Sequence, residues 1–223
     1  FVSISFPGMV GVITGLAQNG IGVSEKVWMT YGKKSLQHGN YDGVADVMML
    51  REILEKSKTK EDAETYMQSI KRTFAIWVGV GDFESQKFDL VGYTEKAATV
   101  YTDETMPKMN GQPYLKSIAY VDKHPQPSHD GVNGTLPTAL QHFYGDISME
   151  TTSQIINYHQ TGDLHAAAYD FTNKKMGLAL GKINAEGNYY PLGEESNGDS
   201  VWKAYNRPWC IFDLADLWSG KVQ

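Results

Sequence analysis

The sequence predicts an α+β protein in which antiparallel sheets are packed with pairs of helices, and three observations lead there. Strand-like and helix-like periodicities come in blocks, ordered strands, two helices, strands, two helices, strands. The strand-like runs within a block are joined by short turns, which favours antiparallel pairing over a doubly wound parallel sheet. The 223 residues are 41% hydrophobic and 21% charged, an ordinary globular balance that supports one sizeable core, so 1–223 is read as a single domain.

The elements follow in order. Phe1 to Ser5 alternates apolar and polar residues, and Pro7-Gly8 then marks a turn. The apolar run Met9 to Ile13 and the run Ile21 to Trp28 flank Gln18-Asn19-Gly20, a strong hairpin signal. Tyr31 to Asp42 is polar and reads as an exposed loop. Gly43 to Ser57 carries a stripe at helical spacing through Val44, Val47, Leu50 or Arg51, and Leu54, and Arg51 on this helix reads as a solvated or capping residue. Thr59 with Asp62 three residues later predicts a capping box, and Ala63, Tyr66, Met67 and Ile70 form the buried face of the second helix. Phe74–Val80, Phe88–Tyr93 and Ala97–Tyr101 are strand-like, punctuated by Gly81-Asp82 and Thr94-Glu95.

Pro107 to Pro113 reads as a loop and Ser117 to Val121 as a short strand. Pro125 and Pro127 forbid regular structure over Asp122–Gly131. Leu136–Tyr144 and Ser148–His159 are helical, with Ser148 as N-cap and Glu150 nearby. Leu164–Tyr169 and Lys175–Ile183 pair across a turn at Thr172-Asn173, and Tyr189-Tyr190 forms a last short strand. The aromatic tail Trp202–Trp218 reads as core or interface.

Several classes of function are disfavoured. A net charge of −6 with scattered Lys and Arg, paired only at places such as Lys33-Lys34 and Lys174-Lys175, gives no basic face for nucleic acid. No apolar run approaches the roughly 18 residues of a membrane span. The G-x-G of "VGVGDF" is not followed by a helix, so it is no dinucleotide fingerprint. G-x-S-x-G, a Walker A loop and H-E-x-x-H are absent. No cofactor is called for.

Few residues remain for chemistry. Cys210 is the one cysteine, so no disulfide forms within the chain. A nucleophilic cysteine needs a base beside it. "NRPWCIFDL" offers Arg207 and Asp213 but no His, and Cys210 reads as an ordinary buried tail cysteine. His124 and His129, with Asp122 and Asp130 beside them, form either a metal or acid–base cluster or a solvated loop. Asn133 opens an N-G-T glycosylation sequon, relevant in a secretory protein.

"FPGMVGVITGLAQNGIGVSE" resembles a recurrent segment of N-terminal-nucleophile (Ntn) hydrolases of the penicillin acyltransferase, choloylglycine hydrolase and acid ceramidase group. Gly8, Gly11, Thr14, Gly15, Gly20 and Ile21 match, while the family's Asn falls on Ala17. "REILEKSKTKEDAETYM" resembles the family's helix pair and "HQTGDLHAAAYDFTNKKMGLAL" its late hairpin, so the likeness covers most of the chain. It implies an Ntn-hydrolase-like αββα layered sandwich, completed by an N-terminal portion outside this chain. It implies a nucleophile, usually Cys, at the start of another chain of the same autoprocessed precursor, its α-amino group serving as base.

The resemblance also implies two oxyanion-hole donors. One is the backbone N–H of Ala17, which survives loss of the Asn side chain. Such donors contribute about 3–4 kcal/mol each. The other falls on Asp122 in "YVDKHP", in the place of an Asn; an ionised Asp there repels an oxyanion. The implied reaction is cleavage or transfer of a non-peptide amide, an N-acyl lipid or N-acyl amino compound, in a lysosomal or secreted setting. Met48-Met49 and the aromatic tail would line an acyl pocket or serve as core. Ala17 and Asp122 equally motivate a second reading, an inactive member with a structural, storage or binding role. A third reading is a metal-dependent hydrolase using His124, His129 and Asp130.

Overall fold

The computed structural model describes residues 1–28, 42–105, 113–121, 135–181 and 203–220. The chain divides into two compact units, Phe1–Lys123 and His124–Gln223.

The first unit holds a six-stranded sheet: β1 (Val2–Ile4), β2 (Thr14–Leu16), β3 (Gly22–Val27), β4 (Ile76–Gly81), β5 (Phe88–Tyr93) and β6 (Ala98–Tyr101). Each strand pairs antiparallel with the next. Two helices, α1 (Asp46–Lys56) and α2 (Lys60–Ser69), cover one face. Register sets that face. Val23 lies opposite Val80 and Val80 opposite Asp89, and the rows Glu25, Val78, Val91 and Val27, Ile76, Tyr93 follow two residues on. Met49, Leu50, Ile53, Ala63 and Met67 of the helices close over Val23, Ile76, Val78, Val91 and Tyr93, all fully buried. Burying such side chains stabilises by about 1.5–3 kcal/mol each relative to exposure. On the opposite face Trp28, Trp77 and Tyr101 stack, with ring centroids 4.0 and 5.9 Å apart in turn. A Cβ on Gly92 would touch all three rings.

The local signals of α2 hold to the residue. The Thr59 side chain accepts from the Asp62 amide, and the Asp62 carboxylate accepts from the Thr59 amide. At the other end Arg72 donates to the carbonyls of Met67, Gln68 and Ile70, and also to Thr94 and Lys96 in the β5–β6 turn. One guanidinium thus satisfies the orphan C-terminal carbonyls of a helix and ties it to the sheet.

The second unit pairs α3 (Thr135–His142) and α4 (Met149–His159) with a three-stranded sheet of β7 (His165–Asp170), β8 (Lys175–Leu180) and β9 (Cys210–Asp213). A 3-10 turn at Ala204–Asn206 precedes β9, and the short helix α5 (Leu214–Trp218) follows it. Ser148 caps α4, and its box is closed by Thr151 rather than Glu150.

The class is therefore α+β with antiparallel sheets, as the sequence predicts. Three elements differ. The run Met9–Ile13 is not the first arm of the hairpin; the strand is Thr14–Leu16, because the Val12 amide donates to Val47 of α1 at 2.9 Å instead of joining the ladder. Ser117–Val121 is no strand: Ser117 takes φ +62° in a tight turn, with Leu115 bridging Ile118. The third strand of the second sheet comes from the tail, at Cys210–Asp213. Tyr189-Tyr190, Tyr31–Tyr41 and most of Pro107–Pro113 lie outside the described residues.

Candidate functional site

The segment Phe6–Ile21 folds as the β2–β3 hairpin and its approach, wedged against α1. Its glycines answer to packing. A Cβ on Gly15 would sit 2.6 Å from Leu54 Cδ1 and 2.8 Å from the Val2 carbonyl, and one on Gly11 2.7 Å from Val47. Gly20, at φ +98°, turns the hairpin over the Phe83 ring. Arg51 is more than a solvated residue, since its Nη1 donates to the Val10 carbonyl at 2.9 Å and its guanidinium lies 6.0 Å from the Phe1 ring centroid. Asn19 fixes the turn to the helix: its Nδ2 donates to the Ser57 carbonyl at 2.7 Å, and its Oδ1 accepts from the Ile21 amide. The sequence marks Asn19 only as a turn residue; its partner 38 positions away gives no local signal.

Ala17 sits buried at the hairpin tip. Its amide donates to the Ile21 carbonyl at 2.8 Å, and its carbonyl accepts from Gly20. An oxyanion at this position would have to share the amide with Ile21. Asp122 and Asn133 lie outside the described residues, as do His124, His129 and Asp130. Among the described residues no group of three or more His, Cys, Asp or Glu is placed to hold a metal. Cys210 is exposed on β9, not buried in the tail, because β9 is the outer strand of its sheet.

The strongest electrostatics lie on the helix face of the first sheet. Lys60, at the start of α2, points its ammonium at Asp89 of β5 and Glu61, at 2.5 and 2.8 Å, with Glu64 at 3.8 Å. Its backbone amide donates to Asp82, whose other oxygen accepts from the Ser85 amide. Burial opposes the charge on Lys60, but the hydrogen bonds it donates to Asp89 and Glu61 outweigh it and hold the ammonium above its ordinary range. Glu64 is pushed up to about 7, first by burial and then by its hydrogen bond with Asp89. Glu25, in the middle of β3, is also pushed up to about 7, by burial and then by the negative charge of Asp46, against the help of Lys26. Its Oε2 and the hydroxyl of Tyr93 are buried with no hydrogen-bond partner. The cluster can exchange protons near neutrality.

No family model matches the chain. Two proteins of Dictyostelium discoideum are similar to it. Protein dcd1B is 30% identical over 226 residues, covering 98% of this chain and 42% of its own length. Protein dcd1A is 27% identical over 219 residues, covering 96% and 46%. The chain spans less than half the length of these curated relatives. Among solved structures, a variant of conjugated bile acid hydrolase from Clostridium perfringens aligns with 90% of this chain and 79% of its own, at a TM-score of 0.49 and 10% identity. No helix among the described residues is long and apolar enough to cross a membrane.

Proposed function

We propose that this chain is one part of an Ntn-type amidohydrolase or acyltransferase. It acts on a non-peptide amide, an N-acyl lipid or N-acyl amino compound, through an acyl-enzyme on an N-terminal cysteine carried by a second chain of the same precursor. The thiolate adds to the amide carbonyl, the amine leaves with a proton, and water or a second amine takes the acyl group. The observation that carries the reading is the hairpin. The matched residues Gly11, Gly15 and Gly20 each stand where a side chain would strike Val47, Leu54 or Phe83, so the resemblance rests on a built unit and not on scattered glycines.

The test is made on the undigested native protein. Intact masses and N-terminal sequences of every chain come first, then acyl release from N-acyl substrates. A partner chain beginning with Cys that takes up a cysteine-directed acylating probe supports the reading; a partner beginning with a non-nucleophilic residue sinks it.

The engaged amide of Ala17 favours a second reading, a member without activity that serves a structural, storage or binding role. That reading predicts no acyl release from any amide or ester, and labelling of the partner by the probe eliminates it. The lysosomal or secreted setting belongs to the same proposal and is tested by whether Asn133 in the native protein carries a glycan.

A further inference from the structure

The second unit contains a groove of about 810 Å³ between α3, α4 and the segment 205–209. Pockets for small molecules run to about 300–1,000 Å³. Its apolar wall is aromatic, with Phe143 from the end of α3, Tyr158 from α4 and Trp209 from the approach to β9. Trp209 is held in place over Gly177, where a Cβ would lie 2.9 Å from the indole, and packs against Ala166, Ala179 and Ala204. Asn157 fastens the opposite walls together, its Nδ2 donating to the Tyr205 carbonyl and the Asn206 side chain, both at 2.9 Å. The groove is thus braced by side chains whose positions are set by packing.

Its charge is the reverse of the chain's. The protein carries a net charge of −6, yet among the described residues the lining contains Arg207 and His142 and no Asp or Glu. Arg207 spends one donor, Nη1, on the Leu180 carbonyl at 2.8 Å. Its Nε and Nη2 have no partner among the described residues, and a planar guanidinium so held presents its remaining donors as a fork suited to a carboxylate or sulfonate. His142 stands edge-on to Phe143, with centroids 4.7 Å apart, at the C-terminal end of α3.

We propose that this groove binds a small organic anion, an aliphatic or aromatic body with one terminal acidic group. The body lies on Phe143, Tyr158 and Trp209, and the acidic group is held by Arg207 with His142 beside it. Shape and charge both favour this occupant. A neutral apolar molecule would leave the Arg207 donors unpaired on burial, and a cation would face two basic side chains. The proposal stands whether or not the protein is an amidohydrolase: it shares the aromatic tail with that reading but uses neither its nucleophile nor its oxyanion-hole residues.

The test is a titration of the full chain with 1-anilinonaphthalene-8-sulfonate, followed by displacement with decanoate, decanol and decylammonium. Saturable binding near one per chain is expected. Decanoate should displace the probe at least tenfold more effectively than decanol, and decylammonium should not displace it. Arg207→Met should weaken probe and decanoate tenfold or more. Gln154→Trp, which fills the groove from an exposed position on α4 and leaves Arg207 intact, should abolish binding with an unchanged circular dichroism spectrum. Equal displacement by all three amphiphiles, or probe binding unaltered in both variants, would overturn the proposal. So would the absence of saturable binding.

Discussion

The two units use their polar groups in opposite ways. In Phe1–Lys123 the buried charges are turned on one another: Lys60 is ringed by Asp89, Glu61 and Glu64, and the five contacts of Arg72 all go to backbone carbonyls. In His124–Gln223 Arg207 stands at the wall of the groove with only Nη1 engaged among the described residues. The difference teaches where to look for a ligand. A saturated network stabilises or specifies a fold, and leaves little for an incoming molecule to bind. An unsaturated wall on a braced frame has that capacity.

Breaking the saturated side should give the largest effect. Asp89→Ala removes the closest partner of a buried ammonium, and losing one member of such a pair costs about 3–5 kcal/mol. The lower end, about 3 kcal/mol, is expected because Glu61 and Glu64 remain, and urea unfolding measures it. The double variant Lys60→Met, Asp89→Leu should recover most of that loss, since no charge is left uncompensated. If the double variant is as unstable as the single, the network does more than neutralise itself.

Overpacking the hairpin should come next. Gly15→Ala places a methyl 2.6 Å from Leu54 and 2.8 Å from a backbone oxygen that has little freedom to retreat, so a loss of about 1–3 kcal/mol is expected. Leu54→Ala beside it should relieve the Leu54 clash but not the one with Val2. A thermal melt of the pair separates the two. A Gly15→Ala protein as stable as the parent would remove the packing account of the motif.

Glu25 Oε2, like Glu64 Oε1 and the Tyr93 hydroxyl, is an exception within this unit, buried with no hydrogen-bond partner, and pH exposes it. Its carboxyl titrates near 7 in the folded protein and near 4.5 when unfolded, so between those values the folded state holds the extra proton. Stability from this group is complete below about 4.5 and is lost as pH rises through 7. Glu25→Gln should flatten that slope and stabilise the protein at pH 8 by on the order of 1–2 kcal/mol relative to its effect at pH 5. Glu64, shifted the same way, leaves a residual slope of the same sign. Urea midpoints across pH 5 to 8 measure both, and an unchanged slope in Glu25→Gln would contradict the burial of its charge.

What was legible in the sequence was local. β5 is Phe88–Tyr93 to the residue, and Thr59 with Asp62 forms the predicted box, because alternation and capping are written within a few positions. What was not legible depends on distant partners. Nothing near Glu25 says that its strand places it in the row of Val78 and Val91, on the face the helices cover, and Lys60 meets Asp89 across 29 positions. β9 escaped because Cys210–Asp213 is short and flanked by aromatic residues that read equally well as core. Arg207 was noted only as a neighbour of Cys210, whereas its place beside α3 and α4 exists only after the tail has folded back along β8.

The smallest effect compares the two units through like parts. α2 and α4 both begin with a closed capping box, so Thr59→Ala and Ser148→Ala should each cost about 1 kcal/mol at neutral pH. The boxes differ in the residue that reaches back. In α2 it is the Asp62 carboxylate, held below its ordinary range by the amides of Lys58 and Thr59. In α4 it is the Thr151 hydroxyl, which also donates to the Asp146 carbonyl at 2.8 Å. A carboxylate with a depressed folded pKa stabilises above its unfolded value and ceases to as pH falls through the folded one. Acid should therefore loosen the start of α2 and leave that of α4 unchanged. Amide exchange at Asp62 and Thr151 between pH 6 and pH 3, corrected for intrinsic rates, reads this directly. Equal loss of protection at the two caps would mean that acid acts on the whole fold before it acts on the cap.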